Sequence, residues 1–173
     1  MTLTDKQCKE VISWHNFYNK MNVLECPDVC PPPGLYKSRL NYNISEVHRD
    51  SRTQWFFDLI HHYLKEDYPN NSVNKGKFFY AHEFFTGAKF TKHRDKDRND
   101  DWAVIVGASL NTGYEGGKLL TYSPDGELAS NIGELYKMGS KTLHEVTEVT
   151  SGTRFSFVYF ISSQELGLTK SII

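Results

Sequence analysis

Between residues 5 and 20, apolar side chains recur at helical spacing, with Cys8, Val11, Ile12, Tyr18 and Met21 on one face. Residues 24–36 hold three consecutive prolines and read as a loop. A second helix is predicted from the apolar stripe Trp55, Phe56, Leu59, Ile60, Tyr63 and Leu64. Ser51 and Gln54 have capping-box spacing at its start, and Pro69 is expected to end it. The stretch PNNSVNKG then reads as a turn-rich connector.

Beyond residue 76 the period changes from helix to strand. KFFYAHEFF, WAVIVGASL, GKLLTY, ELYKM and TRFSFVYFI are short and rich in aromatic and β-branched residues. SPDGE reads as a tight turn between two strands. Two helices followed by seven or eight short strands predict a mostly β protein with flanking N-terminal helices, a buttressed antiparallel sandwich or barrel. The expected organisation is one domain over 1–173, with helical support over 1–75 and the strand core over 76–165. No internal repeat or low-complexity segment interrupts it.

Bulk composition narrows the function classes. A chain of 173 residues with 39% apolar and 24% charged content suits one globular domain with a real core. An aromatic content of 14% favours strands and an apolar pocket. Net charge of −1 and a pI near 6.6 argue against a nucleic-acid partner. No apolar run approaches the roughly 20 residues that span a bilayer. The start, MTLTDKQCKE, is charged where an export signal needs its apolar stretch, so a cytoplasmic location and no membrane partner are expected. The three cysteines, Cys8, Cys26 and Cys30, are then expected to be reduced. Cys26 and Cys30 have metal-like spacing, with only Cys8, His15 and His48 as further ligands, and a stiff loop with free thiols is the stronger reading.

Candidate chemistry sits in FTKHRDKD. If the segment is extended, His93 and Asp95 share a face and Arg94 turns away. His144, in KTLHEV, stands at a predicted strand edge where the chain returns across the sheet. Two imidazoles and one carboxylate on one face of a metal leave positions open, which suits iron(II) oxygenases. Zinc with the same ligands would give hydrolytic chemistry instead. In SGTRFSF, Arg154 and Ser156 share a strand face. An arginine aimed into an apolar barrel needs an anion to meet it. A dicarboxylate can chelate the metal with one end and take the guanidinium fork with the other. Ser156 can add a hydroxyl to the same carboxylate. Pairing of Arg154 with Glu145 or Glu148 is the plain alternative. The remaining histidines, His15, His48, His61, His62 and His82, read as structural or surface residues. The run KHRDKDRNDD reads as a solvated loop, with a substrate lid as its functional reading.

From Phe84 to Ile161 the chain resembles the 2-oxoglutarate- and iron(II)-dependent dioxygenases, in their prolyl-4-hydroxylase-like branch. The resemblance rests on four elements in order. They are the His-x-Asp pair, the Leu-Asn-x-x-Tyr-Glu-Gly-Gly segment, the distal histidine and the Gly-x-Arg-x-Ser end. It implies a double-stranded β-helix core of the jelly-roll or cupin type. It implies His93, Asp95 and His144 as iron ligands and catalytic centre, and Arg154, Ser156 and Ser109 around the distal carboxylate of 2-oxoglutarate. Gly116 and Gly117 match a strand start that lets the backbone pass close.

The implied reaction consumes 2-oxoglutarate and dioxygen, with ascorbate as a reductant, and releases succinate and carbon dioxide while hydroxylating an unactivated C–H bond. Retention of Asp95 favours hydroxylation over halogenation. Family members acting on collagen-type proline usually carry lysine where this chain has Arg154. The substrate implied first is a protein or peptide residue such as proline. A free amino acid or small metabolite is the second reading, and a non-catalytic β-barrel binding module is the reading from another class. Sequence leaves the oligomeric state open.

Overall fold

The computed structural model describes residues 1–21, 42–47, 50–73, 78–95 and 101–168. The helices are α1 (Asp5–Met21) and α2 (Gln54–Leu64). The strands before the site are β1 (Tyr42–Glu46), β2 (Phe78–Phe84), β3 (Phe90–His93) and β4 (Trp102–Ser109). Those that follow are β5 (Glu115–Gly116), β6 (Leu119–Tyr122), β7 (Asp125–Leu128), β8 (Tyr136–Gly139), β9 (His144–Val146), β10 (Val149–Ser151) and β11 (Arg154–Ser162). The proline-rich loop with Cys26 and Cys30, His48, and most of the charged run after Asp95 lie outside the described residues. No helix among the described residues is long and apolar enough to cross a membrane.

Capping chemistry starts each helix. Thr4 and Gln7 bond reciprocally before α1: the Thr4 amide donates to Gln7 Oε1 at 2.9 Å, and the Gln7 amide to Thr4 Oγ1 at 3.3 Å. At α2 the expected Ser51–Gln54 box is replaced by Asp50 and Thr53. The Asp50 amide donates to Thr53 Oγ1 at 2.8 Å, and the Thr53 amide returns to Asp50 Oδ1 at 3.3 Å. A carboxylate one residue upstream reaches the first free amides better than the Ser51 hydroxyl. Pro69 does not end α2 either; the helix stops at Leu64, with Lys65 as its C-cap.

Two antiparallel sheets carry the fold, in strand order β1-β2-β11-β4-β8 and β3-β9-β6-β7, with β10 and β5 as a separate pair. The expected double-stranded β-helix is therefore present. Strand β1 lies between the helices, where the sequence pattern predicts none, and it pairs along β2. Alternation along β11 divides the molecule. Phe157 and Tyr159 turn toward the helices, where fully buried Phe56 meets Phe157 edge-on at 4.9 Å and Phe79 at 4.5 Å. Arg154 and Ser156 turn the other way, into the space beneath the four-stranded sheet. There Phe84 of β2 meets Phe90 of β3 at 5.0 Å. Both faces of the larger sheet are thus covered, one by apolar helix and one by the second sheet.

Candidate metal centre

Strand pairing builds the first cluster. His93 of β3 stands opposite His144 of β9, with Phe90 opposite Val146. One extra residue bulges from β3 between those two pairs, and a bulge re-aims the side chains that follow it. Extended geometry does not continue past His93. Asp95 lies two residues beyond the strand end in 3₁₀ conformation, and its carboxylate meets both histidines there. Arg94 is exposed, as expected.

The result is a convergence of three ligand atoms within 4.8 Å of one another. Nε2 of His93 lies 3.5 Å from Asp95 Oδ1, and Nε2 of His144 lies 3.5 Å from Asp95 Oδ2. Asp95 and His144 are buried, at 3% and 5% exposure. Each ring is oriented by main chain. Nδ1 of His93 lies 2.6 Å from the Thr91 carbonyl, and Nδ1 of His144 lies 2.9 Å from the Thr142 carbonyl. A carbonyl only accepts, so each Nδ1 carries the proton and donates, and each ring then presents an unprotonated Nε2, the form that ligates a metal.

A divalent metal fits this donor set. Charge-assisted hydrogen bonds run at about 2.7–2.9 Å, so 3.5 Å is too long for good imidazolium–carboxylate pairs. Metal–ligand bonds of about 2.1 Å place neighbouring donors roughly 3 Å apart, close to the spacing seen. Two lone pairs and a carboxylate facing one point repel each other unless a cation stands between them.

Arg154 builds the second cluster. It is 3% exposed, with its guanidinium carbon 5.4 Å above the Phe84 ring. Nη1 donates to Ser156 Oγ at 2.9 Å and Nη2 to Ser109 Oγ at 3.3 Å. Ser156 and Ser109 are cross-strand partners on β11 and β4. Nε is buried with no hydrogen-bond partner among the described residues. Neither acidic candidate reaches the guanidinium: Glu148 pairs with Lys89 at 2.9 Å, and Glu145 accepts from the Tyr122 hydroxyl. Among the described residues this buried cation meets two hydroxyls and an aromatic face but no carboxylate, an environment that suits an anionic ligand.

Glycine lets the chain pass this close. Gly117 holds φ +61°, and a Cβ there would stand 2.8 Å from Arg154 Cδ. Gly116 holds φ +72°, and its Cβ would meet the Glu148 carbonyl oxygen at 2.0 Å. Beside them opens a cleft of about 320 Å³ lined by Ser109, Asn111, Tyr114, Gly117, Lys118 and Leu119. Asn111 steadies the start of β11: its Oδ1 accepts from the Phe155 amide at 2.7 Å and its Nδ2 donates to the Thr153 carbonyl at 2.8 Å.

All six sequence-predicted site residues therefore gather in two clusters, His93, Asp95 and His144 in one and Arg154, Ser156 and Ser109 in the other. The Thr91 and Thr142 carbonyls left no sequence signal, because any residue supplies a carbonyl. His15 is fully buried against Glu83 at 3.3 Å, His61 holds Asn71, and His62 is exposed. His82 is buried on β2 opposite Ser156.

No protein-family model matches the chain, and no curated protein matches it. Solved structures do, and they share the fold of 2OG-Fe(II) oxygenases and prolyl hydroxylases. A viral collagen prolyl hydroxylase from Paramecium bursaria Chlorella virus-1, solved as a 2OG complex, is similar at TM-score 0.68 and 13% identity, over 92% of this chain and 90% of that one. A Trichoplax adhaerens prolyl hydroxylase, in complex with a hypoxia inducible factor oxygen degradation domain peptide fragment, is similar at TM-score 0.66 and 15% identity, over 95% and 82%. A 2OG-Fe(II) oxygenase family oxidoreductase from Burkholderia pseudomallei is similar at TM-score 0.58 and 15% identity, over 70% of this chain and 66% of that one.

Proposed function

We propose that the protein is a 2-oxoglutarate- and iron(II)-dependent dioxygenase that hydroxylates an unactivated C–H bond. The observation that carries this reading is the pairing of two features in one interior: a convergent His-Asp-His set and a buried arginine that no carboxylate among the described residues neutralises. In this reading His93, Asp95 and His144 hold iron(II), and Arg154 with Ser156 and Ser109 holds the distal carboxylate of 2-oxoglutarate. Iron bound there would supply dioxygen activation coupled to decarboxylation of 2-oxoglutarate to succinate and carbon dioxide.

The chain's own residues do the rest. Thr91 and Thr142 carbonyls fix both imidazole tautomers, so metal binding needs no rearrangement of the rings. Arg154 and the two serines fix one end of the co-substrate, which sets where its other end falls. Phe84 and Phe90 line this interior with apolar surface.

A protein or peptide residue, proline first, is the substrate we favour. Its support is the sequence resemblance together with the peptide held by the structurally similar Trichoplax enzyme. The deciding experiment adds iron(II) and 2-oxoglutarate anaerobically to apo-protein and looks for a visible charge-transfer band, then follows succinate release with proline-containing peptides in air. A band absent from folded, metal-loaded protein rejects the reading in favour of a zinc site or a non-catalytic barrel. A band with turnover on free amino acids but not peptides moves the substrate to small metabolites.

A further inference from the structure

Gly107 lies inside β4, where glycine weakens a strand and marks a close approach. Its cross-strand neighbours are Tyr136 of β8 and Val158 of β11. A Cβ at Gly107 would stand 2.3 Å from the Tyr136 hydroxyl oxygen and 2.5 Å from the ring carbon that bears it. The phenol ring therefore crosses β4 through the gap left by the missing side chain, with its hydroxyl laid over the strand toward β11.

That gap is next to the arginine cluster. Ser109 is two residues further along β4 on the same face, roughly 7 Å away by strand rise. Arg154 donates to Ser109, and the Tyr136 hydroxyl lies over Gly107 on the same strand. The hydroxyl makes no hydrogen bond among the described residues. Burial pushes the phenol well above its ordinary range, with the Arg154 guanidinium opposing that shift and the Asp95 carboxylate adding to it. The group thus lies within electrostatic reach of both clusters and stays a neutral donor at ordinary pH.

We propose that Tyr136 is a ligand-binding residue whose hydroxyl donates a hydrogen bond to the distal carboxylate of the 2-oxo acid at Arg154, and that Gly107 is the residue that admits it. The inference rests on the proposed 2-oxoglutarate reading. An ionised carboxylate offers about four acceptor positions, so a guanidinium, two serine hydroxyls and a phenol can share it. Tyrosine adds reach and rigidity, because its donor sits on a ring packed over the sheet.

The test measures dissociation constants anaerobically with manganese(II) as the metal probe. Two acids are compared: 2-oxoglutarate, and 2-oxobutyrate, which lacks the distal carboxylate. Tyr136→Phe should weaken 2-oxoglutarate about 10-fold and leave 2-oxobutyrate unchanged, as expected for one lost hydrogen bond to a charged group. Gly107→Ala should shift the same ratio in the same direction, because its methyl group displaces the hydroxyl. The ratio is insensitive to any unfolded fraction, which scales both affinities alike. Equal effects on both acids, or no effect, in Tyr136→Phe overturn this inference alone. Wild-type protein that binds manganese(II) but not 2-oxoglutarate overturns the functional reading and this inference with it.

Discussion

His93 and His144 face each other across antiparallel strands β3 and β9, with ring centroids 4.3 Å apart and planes inclined at 52°. Cross-strand pairing brings them together, and the bulge in β3 supplies the register. Neither ring depends on the other for orientation, since each is tied to the main-chain carbonyl two residues before it. Replacing one should therefore remove a ligand without moving its partner. His144→Ala and His93→Ala should keep the native circular dichroism spectrum. Each should weaken manganese(II) or iron(II) binding by more than the roughly 10–100-fold typical of losing an outer-shell partner. Calorimetric titration reads this directly, and unchanged affinity in both would show that the metal lies elsewhere.

Arg154 separates metal binding from co-substrate binding. Arg154→Ala should retain the metal and weaken 2-oxoglutarate about 100-fold, corresponding to roughly 3 kcal/mol for charge-assisted hydrogen bonds. Because the guanidinium is buried without an acidic partner among the described residues, its loss should not lower the melting temperature of ligand-free protein in proportion to the side chain removed. An unchanged 2-oxoglutarate affinity would reject the clamp assignment.

Gly117 acts on the same arginine through the backbone. Gly117→Ala combines a left-handed φ of +61° with a methyl group 2.8 Å from Arg154 Cδ. The backbone cost is about 1–2 kcal/mol, and the arginine must shift as well. Lower stability in thermal melts should appear together with weaker 2-oxoglutarate binding. Lower stability with native affinity would mean that Arg154 absorbs the contact without leaving its serines.

The helix-facing side of the larger sheet should govern stability rather than chemistry. Phe56 is fully buried against Phe79 and Phe157. Phe56→Ala should cost about 3–5 kcal/mol, a large share of the 5–15 kcal/mol typical of a domain. Denaturant titration should show the midpoint falling while the metal affinity of the folded fraction is kept.

Strong acid should weaken the α2 cap. A hydrogen bond from Arg52 holds the Asp50 carboxyl down to about 2, helped by the Arg52 and Thr53 amides. A carboxyl depressed on folding stabilises above its unfolded value, and that contribution fades as pH falls through the folded one. The cap should therefore be intact above about pH 4 and lost toward pH 2. Asp50→Asn should be less stable than wild type at neutral pH, with the difference shrinking over that window. A difference that persists at pH 2 would assign the effect to packing. The pair is exposed, so salt should shrink it too.

Much of this was legible before any coordinates. Both helices, the change to strand period after residue 76, and the six site residues followed from spacing and from local resemblance. Side-chain alternation along a strand is a local property, so placing Arg154 and Ser156 on one face needed only the sequence of β11. Motif order named the three metal-ligating candidates because each carries its chemistry in its own side chain.

What spacing could not supply was decided by contacts distant in sequence. Strand β1 exists because β2 offers it an edge, and its own five residues carry no strong pattern. Asp95 meets the histidines from beyond the end of β3, which stops at His93. The Thr91 and Thr142 carbonyls that orient the rings are main-chain atoms and invisible to any residue code. That Arg154 meets two serines rather than Glu145 or Glu148, and that Tyr136 crosses β4 at Gly107, depends on which strands became neighbours. Local sequence thus determined which side chains are available and which way each strand turns them, while tertiary pairing decided which of them meet. The physical reason is that covalent geometry fixes direction over two or three residues, whereas burial and hydrogen-bond satisfaction are settled only when the sheets close over one interior.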